Sequence, residues 1–375
     1  MATSRTRLIV ASSEASADQL YATRFFVPDA FVYLLKGNKS RILLSDLEVD
    51  RGRATAEVDA VDAYSDFESP LEKKAGERPA FHQVLIAYLR KQRVKRAEVP
   101  ADFPLGLAAK LQAAGIRVDP IDGFFWPARE TKNEPELREL RSALKMTAEA
   151  LKRGFAVLRE AEVLKNRRLR WHGKLLTSEI LRAEIDTVCL RMGGLPANTI
   201  VAGGAQACDP HERGHGPLRS GELIIIDCFP RQAASGYYGD MTRTVIKGRA
   251  TDAQRRLWET VGRGQKLAYG AMKPRVDGGK VHERVKQFFT DEGYPTEQQE
   301  GRWSGFFHGT GHGLGLELHE APRFGATRFK KGQVLTVEPG LYYPGLGGVR
   351  TEDVAVITAT GAKWLSKLED PLEIE

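Results

Sequence analysis

Five potential metal ligands follow one another between residues 227 and 352, each inside a short motif of glycine or apolar residues. They are Asp227, Asp240, His312, Glu338 and Glu352. Four carboxylates and one imidazole form a hard, oxygen-rich set, which suits two divalent cations that share a water better than one structural zinc ion. Two cations about 3.5–4 Å apart lower the pKa of that water. The set therefore predicts a site that activates water at neutral pH.

The residues beside these carboxylates predict that they are buried. Asp227 ends the run Leu-Ile-Ile-Ile, and apolar segments at 334–337 and 354–357 flank Glu338 and Glu352. A buried carboxylate needs a partner charge. Each acid alone could be a surface or turn residue, as Gly-Asp is common in turns. Their joint order favours a metal site.

These motifs resemble the pita-bread metallopeptidases, which include methionine aminopeptidase, aminopeptidase P and prolidase. The segment 308–320, His-Gly-Thr-Gly-His-Gly-Leu-Gly-Leu-Glu-Leu-His-Glu, is nearly the prolidase and aminopeptidase P signature. The interval of 14 residues between Glu338 and Glu352 is similar to that of prolidases. The resemblance covers residues 130–358 well and the N-terminal third loosely.

The resemblance implies a fold, an activity and cofactors. The fold class is α+β, with a C-terminal pita-bread domain and a smaller N-terminal α/β creatinase-like domain. The activity is hydrolysis of the Xaa-Pro bond in proline-containing dipeptides or short peptides, by a homodimer. The cofactors are two divalent metal ions, with Mn²⁺ expected and Co²⁺ or Zn²⁺ as substitutes.

Particular residues receive roles from the same resemblance. Glu338 is expected to be both a metal ligand and the catalytic proton carrier. His211 and His319 would donate hydrogen bonds to the reacting amide, while His308 would line the substrate cleft. Arg323 would bind the substrate's C-terminal carboxylate, as a guanidinium fork suits a carboxylate.

Several alternatives stay open. His215 competes with His211, and Arg323 could be an ordinary surface arginine. Arg350, two residues before Glu352, is expected to orient a ligand carboxylate. His282 reads as an ordinary helix residue. The rival functions are an aminopeptidase P that acts on longer Xaa-Pro-Yaa peptides, and a non-peptidase member of the same fold, either creatinase-like or an adaptor.

The composition indicates an ordinary globular protein of 375 residues with a net charge of +7. Its basic residues are spread out, and the densest run, at 165–174, favours a solvated helix end over a nucleic-acid surface. The three cysteines favour a reducing compartment, and Cys228 should point away from its neighbour Asp227 on a strand. Residues 1–11 hold no apolar run typical of a signal peptide, and no stretch is long enough to span a membrane. We therefore expect a cytoplasmic protein with no nucleic-acid or membrane partner.

The periodicity of apolar residues predicts two domains, 1–128 and 129–375. In the first, strands are predicted at 24–35, 41–44 and 116–118, and helices near 81–89 and 105–114. In the second, helices are predicted at 135–158, 177–192, 252–272 and 279–292. Strands at 222–229, 237–246, 333–338 and 349–358 should form one mostly antiparallel sheet. Residues 339–348 should be a loop.

Overall fold

The computed structural model of the protein describes residues 6–299, 301–325, 327–369 and 371–375. Residues 1–5, which belong to the segment 1–11 that lacks the apolar run of a signal peptide, lie outside the described residues. The chain divides into two compact units, the N-terminal unit Met1–Arg129 and the C-terminal unit Glu130–Glu375.

Within residues 6–129, the N-terminal unit contains six strands and five α-helices. The strands are β1 Thr6–Ala11, β2 Phe31–Lys36, β3 Lys39–Leu44, β4 Ala60–Ala63, β5 Arg96–Pro100 and β6 Arg117–Ile121. The helices are α1 Ala17–Thr23, α2 Val49–Thr55, α3 Ser65–Ala75, α4 Phe81–Lys91 and α5 Leu105–Ala113.

These six strands form one mixed sheet in the order β4-β3-β2-β1-β5-β6. Successive residues of β1 alternate between two apolar clusters, with Leu8 and Val10 in one and Ile9 in the other. Because strand side chains alternate in direction, the sheet has a core on each face. The first cluster contains residues of α3, α4 and α5, and the second contains Val49 of α2. Helices thus cover both faces, as the predicted α/β arrangement requires.

The C-terminal unit contains four helices and eighteen short strands among its described residues. The helices are α6 Glu134–Glu160, α7 Ser178–Arg191, α8 Asp252–Ala271 and α9 Gly278–Asp291. The first nine strands are β7 Glu162–Val163, β8 Leu169–Trp171, β9 Lys174–Leu175, β10 Gly194–Leu195, β11 Ile200–Gly203, β12 Ile224–Cys228, β13 Arg231–Gln232, β14 Met241–Lys247 and β15 Glu297–Gln299. The others are β16 Arg302–Ser304, β17 His312–Gly313, β18 Glu320–Arg323, β19 Val334–Val337, β20 Gly340–Tyr343, β21 Gly347–Arg350, β22 Asp353–Ile357, β23 Ala362–Trp364 and β24 Glu373–Ile374. Pro127–Glu130 and Gly204–Cys208 are 3₁₀ segments.

The C-terminal unit contains two larger sheets among its described residues, whereas the sequence predicted one sheet. The first has the order β11-β12-β14-β24 and the second the order β18-β17-β19-β22-β23. All of their pairings are antiparallel except β14 with β24. Helices α8 and α9 share an apolar core with β19, β20, β21 and β22. Every residue of β12 and of β19 is buried, which indicates that both faces of these strands are covered and explains why their sequences are mostly apolar without alternation.

Helix α6 illustrates how local chemistry sets an element's bounds. The Asn133 side chain accepts a hydrogen bond from the Glu136 backbone N–H, and the Glu136 side chain accepts one from the Asn133 N–H. This reciprocal cap satisfies two donors that a helix start leaves free. Pro135 lies in the first turn, where its missing N–H removes no bond. The helix predicted at 135–158 is confirmed.

Two predicted strands differ from the structure. The strand predicted at 349–358 is two strands in different sheets, β21 and β22, which are separated by Thr351 and Glu352. The Glu352 N–H donates to the carbonyl of Thr242 at 3.0 Å, so Glu352 does not take part in the strand pairing of β21 or of β22. The predicted loop at 339–348 is most of a hairpin, because β20 pairs with β21. The strand predicted at 237–246 begins only at Met241.

Candidate metal centre

All five predicted ligands lie near the ends of strands of the C-terminal unit. Asp227 is the fourth residue of β12, and Asp240 immediately precedes β14. His312 opens β17, Glu338 follows β19, and Glu352 occupies the break between β21 and β22. All are buried except Glu338, whose side chain is 17% exposed. The two larger sheets therefore bring residues that are distant in sequence to one place.

The glycines around His312 permit a close approach of backbone segments. A Cβ atom at Gly311 would lie 2.1 Å from the carbonyl oxygen of Thr336, and one at Gly313 would lie 2.5 Å from that of Ala321. No side chain fits at such distances, so glycine is required at both positions. This close packing fixes the backbone on either side of the His312 imidazole.

Asp240, His312 and Glu352 each direct one potential ligand atom into a group in which all atoms lie within 4.8 Å of one another. His312 Nε2 is 3.7 Å from Asp240 Oδ2 and 3.2 Å from Glu338 Oε1. Thr336 accepts a hydrogen bond from the His312 N–H at 3.0 Å and donates one to Glu338 Oε1 at 3.2 Å. The structure thus groups three of the five predicted ligands directly, and Glu338 adjoins them through His312.

Thr242 connects Asp227 with Glu352. It is paired with Asp227 across β12 and β14, and its hydroxyl donates to Glu352 Oε2 at 2.8 Å. The other oxygen of each acid, Asp227 Oδ1 and Glu352 Oε1, is buried without a hydrogen-bond partner among the described residues. A buried carboxylate oxygen with no donor is strongly unfavourable unless a cation fills the role. These oxygens fit a metal site.

The titration of the acids supports the same conclusion. Burial, reinforced by the charges of Glu352, Asp227 and Glu338, raises the pKa of Asp240 well above its ordinary value. Burial and the charge of Glu338 do the same for Glu352. Burial raises the pKa of Glu338 to about 7, against the lowering effect of Arg350. The cluster carries more negative charge than its protein surroundings compensate, and divalent cations would supply the missing positive charge.

Arg350 is a buried cation beside the cluster. Its Nη2 donates to Asp227 Oδ2 at 2.7 Å, and its Nη1 donates to the Tyr342 hydroxyl at 3.0 Å. Its Nε donates to Thr242 Oγ1 at 3.3 Å. Arg350 therefore contacts both a predicted ligand and the threonine that holds Glu352, in keeping with the orienting role predicted for it.

His308 lies on the other side of Tyr342. Its Nε2 is 2.9 Å from the Tyr342 hydroxyl, and its Nδ1 is 2.8 Å from the Gly309 carbonyl oxygen. Burial and the charge of Arg350 lower the pKa of His308 to about 3, so the ring is neutral. A neutral imidazole between a carbonyl and a phenol donates from Nδ1 and accepts at Nε2. Sequence reasoning missed Tyr342, although its position four residues after Glu338 was a usable signal.

The remaining predicted residues lie at the accessible side of the cluster. The His319 ring packs edge-on against His312, with centroids 4.4 Å apart, and is exposed. Arg323 is exposed and is paired with His312 across β17 and β18. His211 and His215 are both exposed, but only His211 contributes to lowering the pKa of His308 and His319, behind the larger effect of burial.

Other contacts were not foreseen. His282 lies on helix α9, as predicted, and is half-buried, with Nδ1 2.9 Å from Thr310 Oγ1. Arg243 is fully buried and donates to the Glu352 carbonyl at 2.7 Å. Lys132 and Glu320 form a buried ion pair beside His319. Cys228 is a buried core thiol, as predicted from its position beside Asp227 on a strand, and the contact that was not foreseen is with Cys189, at 3.8 Å from sulfur to sulfur.

No helix within the described ranges is long and apolar enough to cross a membrane.

The chain is similar in sequence to Xaa-Pro dipeptidases from two Pyrococcus species. An Xaa-Pro dipeptidase from Pyrococcus furiosus is 37% identical over 179 residues, which span 47% of this chain and 49% of that protein. The chain thus matches about half the length of this relative. An Xaa-Pro dipeptidase from Pyrococcus horikoshii is 26% identical over 348 residues, covering 90% of this chain and 87% of that protein.

The fold and the family are both identified by comparison. The crystal structure of an X-Pro aminopeptidase from Thermotoga maritima superposes with a TM-score of 0.82 at 22% identity, covering 99% of this chain and 98% of that chain. This likeness confirms the predicted pita-bread fold. The sequence profile of metallopeptidase family M24 matches residues 138–359, more than half of the chain. The predicted metallopeptidase is confirmed at this level, and the chain belongs to metallopeptidase family M24.

Proposed function

We propose that the protein hydrolyses the Xaa-Pro bond of short peptides with two divalent cations. The observation that carries this proposal is the convergence of one ligand atom each from Asp240, His312 and Glu352 within 4.8 Å. Beside them, Asp227 Oδ1 is buried and has no hydrogen-bond partner in the part of the chain that the structure describes. Such a cluster supports metal chemistry in a member of a metallopeptidase family. The names of the two Pyrococcus relatives support the Xaa-Pro specificity.

The five predicted ligands would hold the cations. Carboxylate oxygens and one imidazole suit Mn²⁺, with Co²⁺ or Zn²⁺ as substitutes. When bound, two such ions supply a water nucleophile at neutral pH and polarise the scissile carbonyl. The excess negative charge of Asp240, Glu338 and Glu352 would stabilise the ions and, in return, be neutralised by them.

Glu338 would move the proton. Its side chain is the most exposed of the five, and Thr336 fixes Oε1 at 3.2 Å. Glu338 would take a proton from the attacking water and deliver it to the leaving proline nitrogen. His319 and His211 would donate hydrogen bonds to the developing tetrahedral species. Such hydrogen bonds are strongest where negative charge accumulates in the transition state. His308, oriented through Tyr342, would line the adjoining wall.

Arg323 would select the substrate's length. Its side chain is exposed, and its strand position is paired with His312. A dipeptide presents its carboxylate directly after proline, where the Arg323 guanidinium would bind it. Aminopeptidase P activity is the second candidate, supported by the name of the structurally similar X-Pro aminopeptidase from Thermotoga maritima.

The assembly and cell compartment are parts of the same proposal. We infer a cytoplasmic homodimer with domains at 1–128 and 129–375, a proline-containing peptide as the partner, and no nucleic-acid or membrane partner. Light scattering coupled to size-exclusion chromatography measures the dimer. A monomer with full activity would refute that part alone.

Hydrolysis of three matched substrates tests the activity. We expect Mn²⁺-dependent cleavage of Ala-Pro, cleavage of Ala-Pro-Leu at a different rate, and none of Ala-Ala. Asp240→Asn, which keeps the volume and removes the ligand charge, is the inactive control. Full activity in excess chelator, or equal cleavage of Ala-Ala, would refute the proposal.

A further inference from the structure

Helix α9 carries a polar side chain within its apolar stripe. Its buried residues Val281, Val285 and Phe289 recur every four positions and belong to the core of the C-terminal unit. His282 lies three residues before Val285 and seven before Phe289, so its ring lies on the same face of the helix. A half-buried imidazole on such a face needs a hydrogen-bond partner, which an apolar side chain would not. The choice of histidine at this position is therefore explained by what its ring contacts.

The partner of His282 is Thr310, which lies in the glycine-rich segment between His308 and His312. His282 Nδ1 is 2.9 Å from Thr310 Oγ1, and Thr310 is fully buried. The His282 ring also packs against the Phe306 ring, with centroids 5.2 Å apart, and Phe306 packs edge-on against His308 at the same separation. Helix α9 thus contacts the segment that carries two of the predicted site histidines.

The backbone of Thr310 holds Glu338, the residue proposed to move the proton. The Glu338 N–H donates to the Thr310 carbonyl at 2.8 Å. The Thr336 hydroxyl holds the other end of the same residue by donating to Glu338 Oε1 at 3.2 Å. A displacement of about 1 Å at a catalytic group can lower a rate by about 100-fold. The anchoring of Thr310 therefore bears on where the Glu338 carboxylate lies.

The other side of His282 borders an open cavity of about 490 Å³, which Asp277, Lys280 and Phe324 also line. A smaller side chain at position 282 would enlarge a space that solvent already reaches. It would not leave a closed void in the core, which is the costly result of most truncations of buried side chains. Variants at this position are therefore expected to fold.

We propose that His282 is a positioning residue for Xaa-Pro hydrolysis, an inference that rests on the proposed function. Its ring anchors the Thr310 hydroxyl, and the anchored segment presents the Thr310 carbonyl to the Glu338 N–H. Its contacts with Thr310 and Phe306 do not involve metal ligands. The loss of the ring should therefore displace the Glu338 carboxylate and leave the cations bound.

Two substitutions of nearly the same shape test the hydrogen bond in the Mn²⁺-loaded full-length enzyme, with Ala-Pro as substrate. His282→Leu should lower kcat at least about fivefold, the lower end for a lost hydrogen bond that leaves a buried partner unsatisfied. KM and metal content should stay within about twofold of the wild type, because the interaction acts on the proton carrier and not on substrate binding. His282→Asn keeps a polar atom near the place of Nδ1 and should restore most of the wild-type kcat. His82→Leu, the same change at a half-buried histidine of α4 in the N-terminal unit, is the matched control.

Thr310→Val removes the same hydrogen bond from its other side and decides the question if His282→Leu does not fold. Adding His282→Leu to Thr310→Val should cause no further loss of kcat, because two groups that act through one contact are not additive. Additive losses would show that His282 acts by another route. Equal losses in His282→Leu and His282→Asn would show that the ring only fills space. Either result would overturn the proposal.

Hydrogen exchange at the Glu338 N–H gives a second measurement that does not depend on turnover. It is followed in Mn²⁺-containing buffer by mass spectrometry with fragmentation to single residues. The Glu338 amide should exchange at least about fivefold faster in His282→Leu than in the wild type, in His282→Asn or in the His82→Leu control. The amides of Val334–Val337, in the strand β19 that pairs with β22, are the internal reference.

The two measurements separate the positioning role from the proposed function. Unchanged exchange at Glu338 in His282→Leu would overturn the positioning role and leave Xaa-Pro hydrolysis standing. A wild type that cleaves no Xaa-Pro peptide would refute the proposed function, and the exchange at Glu338 would still decide whether His282 anchors Thr310.

Discussion

Replacing Glu338 by Gln should change the stability of the protein in opposite directions with and without metal. Gln has nearly the same shape and can still accept the Thr336 hydroxyl hydrogen bond that fixes Oε1. The substitution therefore removes the charge and little else. Without cations the wild-type site holds an excess of buried negative charge, so the loss of one charge should stabilise the fold. With cations the same loss removes a ligand.

The magnitude follows from the pKa of Glu338 in the metal-free protein, about 7 against an ordinary 4.5. Below pH 4.5 the carboxyl is protonated in both the folded and the unfolded chain, and it has no effect on stability. Between 4.5 and 7 only the folded chain keeps the proton, so the free energy of unfolding falls as the pH rises. Above pH 7 the full penalty applies, about 3 kcal/mol for the stated shift. We expect a somewhat larger stabilisation than this, because the charge of Glu338 also raises the pKa of Asp240 and of Glu352.

The assay is urea unfolding followed by tryptophan fluorescence, in EDTA and in saturating Mn²⁺. In EDTA at pH 8 we expect Glu338→Gln to unfold at a higher urea concentration than the wild type, with a free energy of unfolding that is larger by about 3 kcal/mol. This difference should shrink below about 1 kcal/mol by pH 5. In Mn²⁺ the wild type should be the more stable, since the ions stabilise only the state that binds them. A variant that is less stable than the wild type in EDTA at pH 8 would show that buried negative charge is not what the metal offsets.

Four further outcomes test the site. Asp240→Ala should abolish metal binding and activity together, and elemental analysis that finds no metal in the active wild type would refute the dimetal centre. Glu338→Gln should lower kcat at least about 100-fold, the usual loss with a general acid–base group, so an unchanged kcat would move that role elsewhere. His211→Ala and His319→Ala should lower kcat while metal content stays at the wild-type level, and loss of metal in either variant would make it a ligand. Arg323→Ala should raise KM for Ala-Pro about 10–150-fold and spare Ala-Pro-Leu, since a contact between charged groups is lost only with the dipeptide; equal effects on both would make Arg323 structural.

Local signals predicted the elements whose causes are local. The cap of α6 depends on residues three positions apart, Asn133 and Glu136, and the sequence indicated its start within about one residue. The apolar run before Asp227 likewise predicted β12, because a strand buried on both faces must be apolar throughout. The five ligands could be predicted in order because each lies in its own short motif, which is also a local signal.

The parts that could not be predicted depend on contacts between distant residues. Nothing near Glu352 shows that the chain leaves one sheet and enters another there; the break is held by Thr242, 110 positions earlier. The apolar residues on both sides of Glu352 correctly indicated burial. They also suggested one continuous strand, because the sequence before the break and the sequence after it are both typical of a buried strand. That break is what turns the Glu352 carboxylate toward Asp240 and His312. In a regular strand, the backbone of Glu352 would have paired with a neighbouring strand. The irregular backbone at Glu352 is therefore a condition of the metal centre. Because an irregular backbone has no repeating pattern of apolar residues, sequence periodicity is least informative at this position.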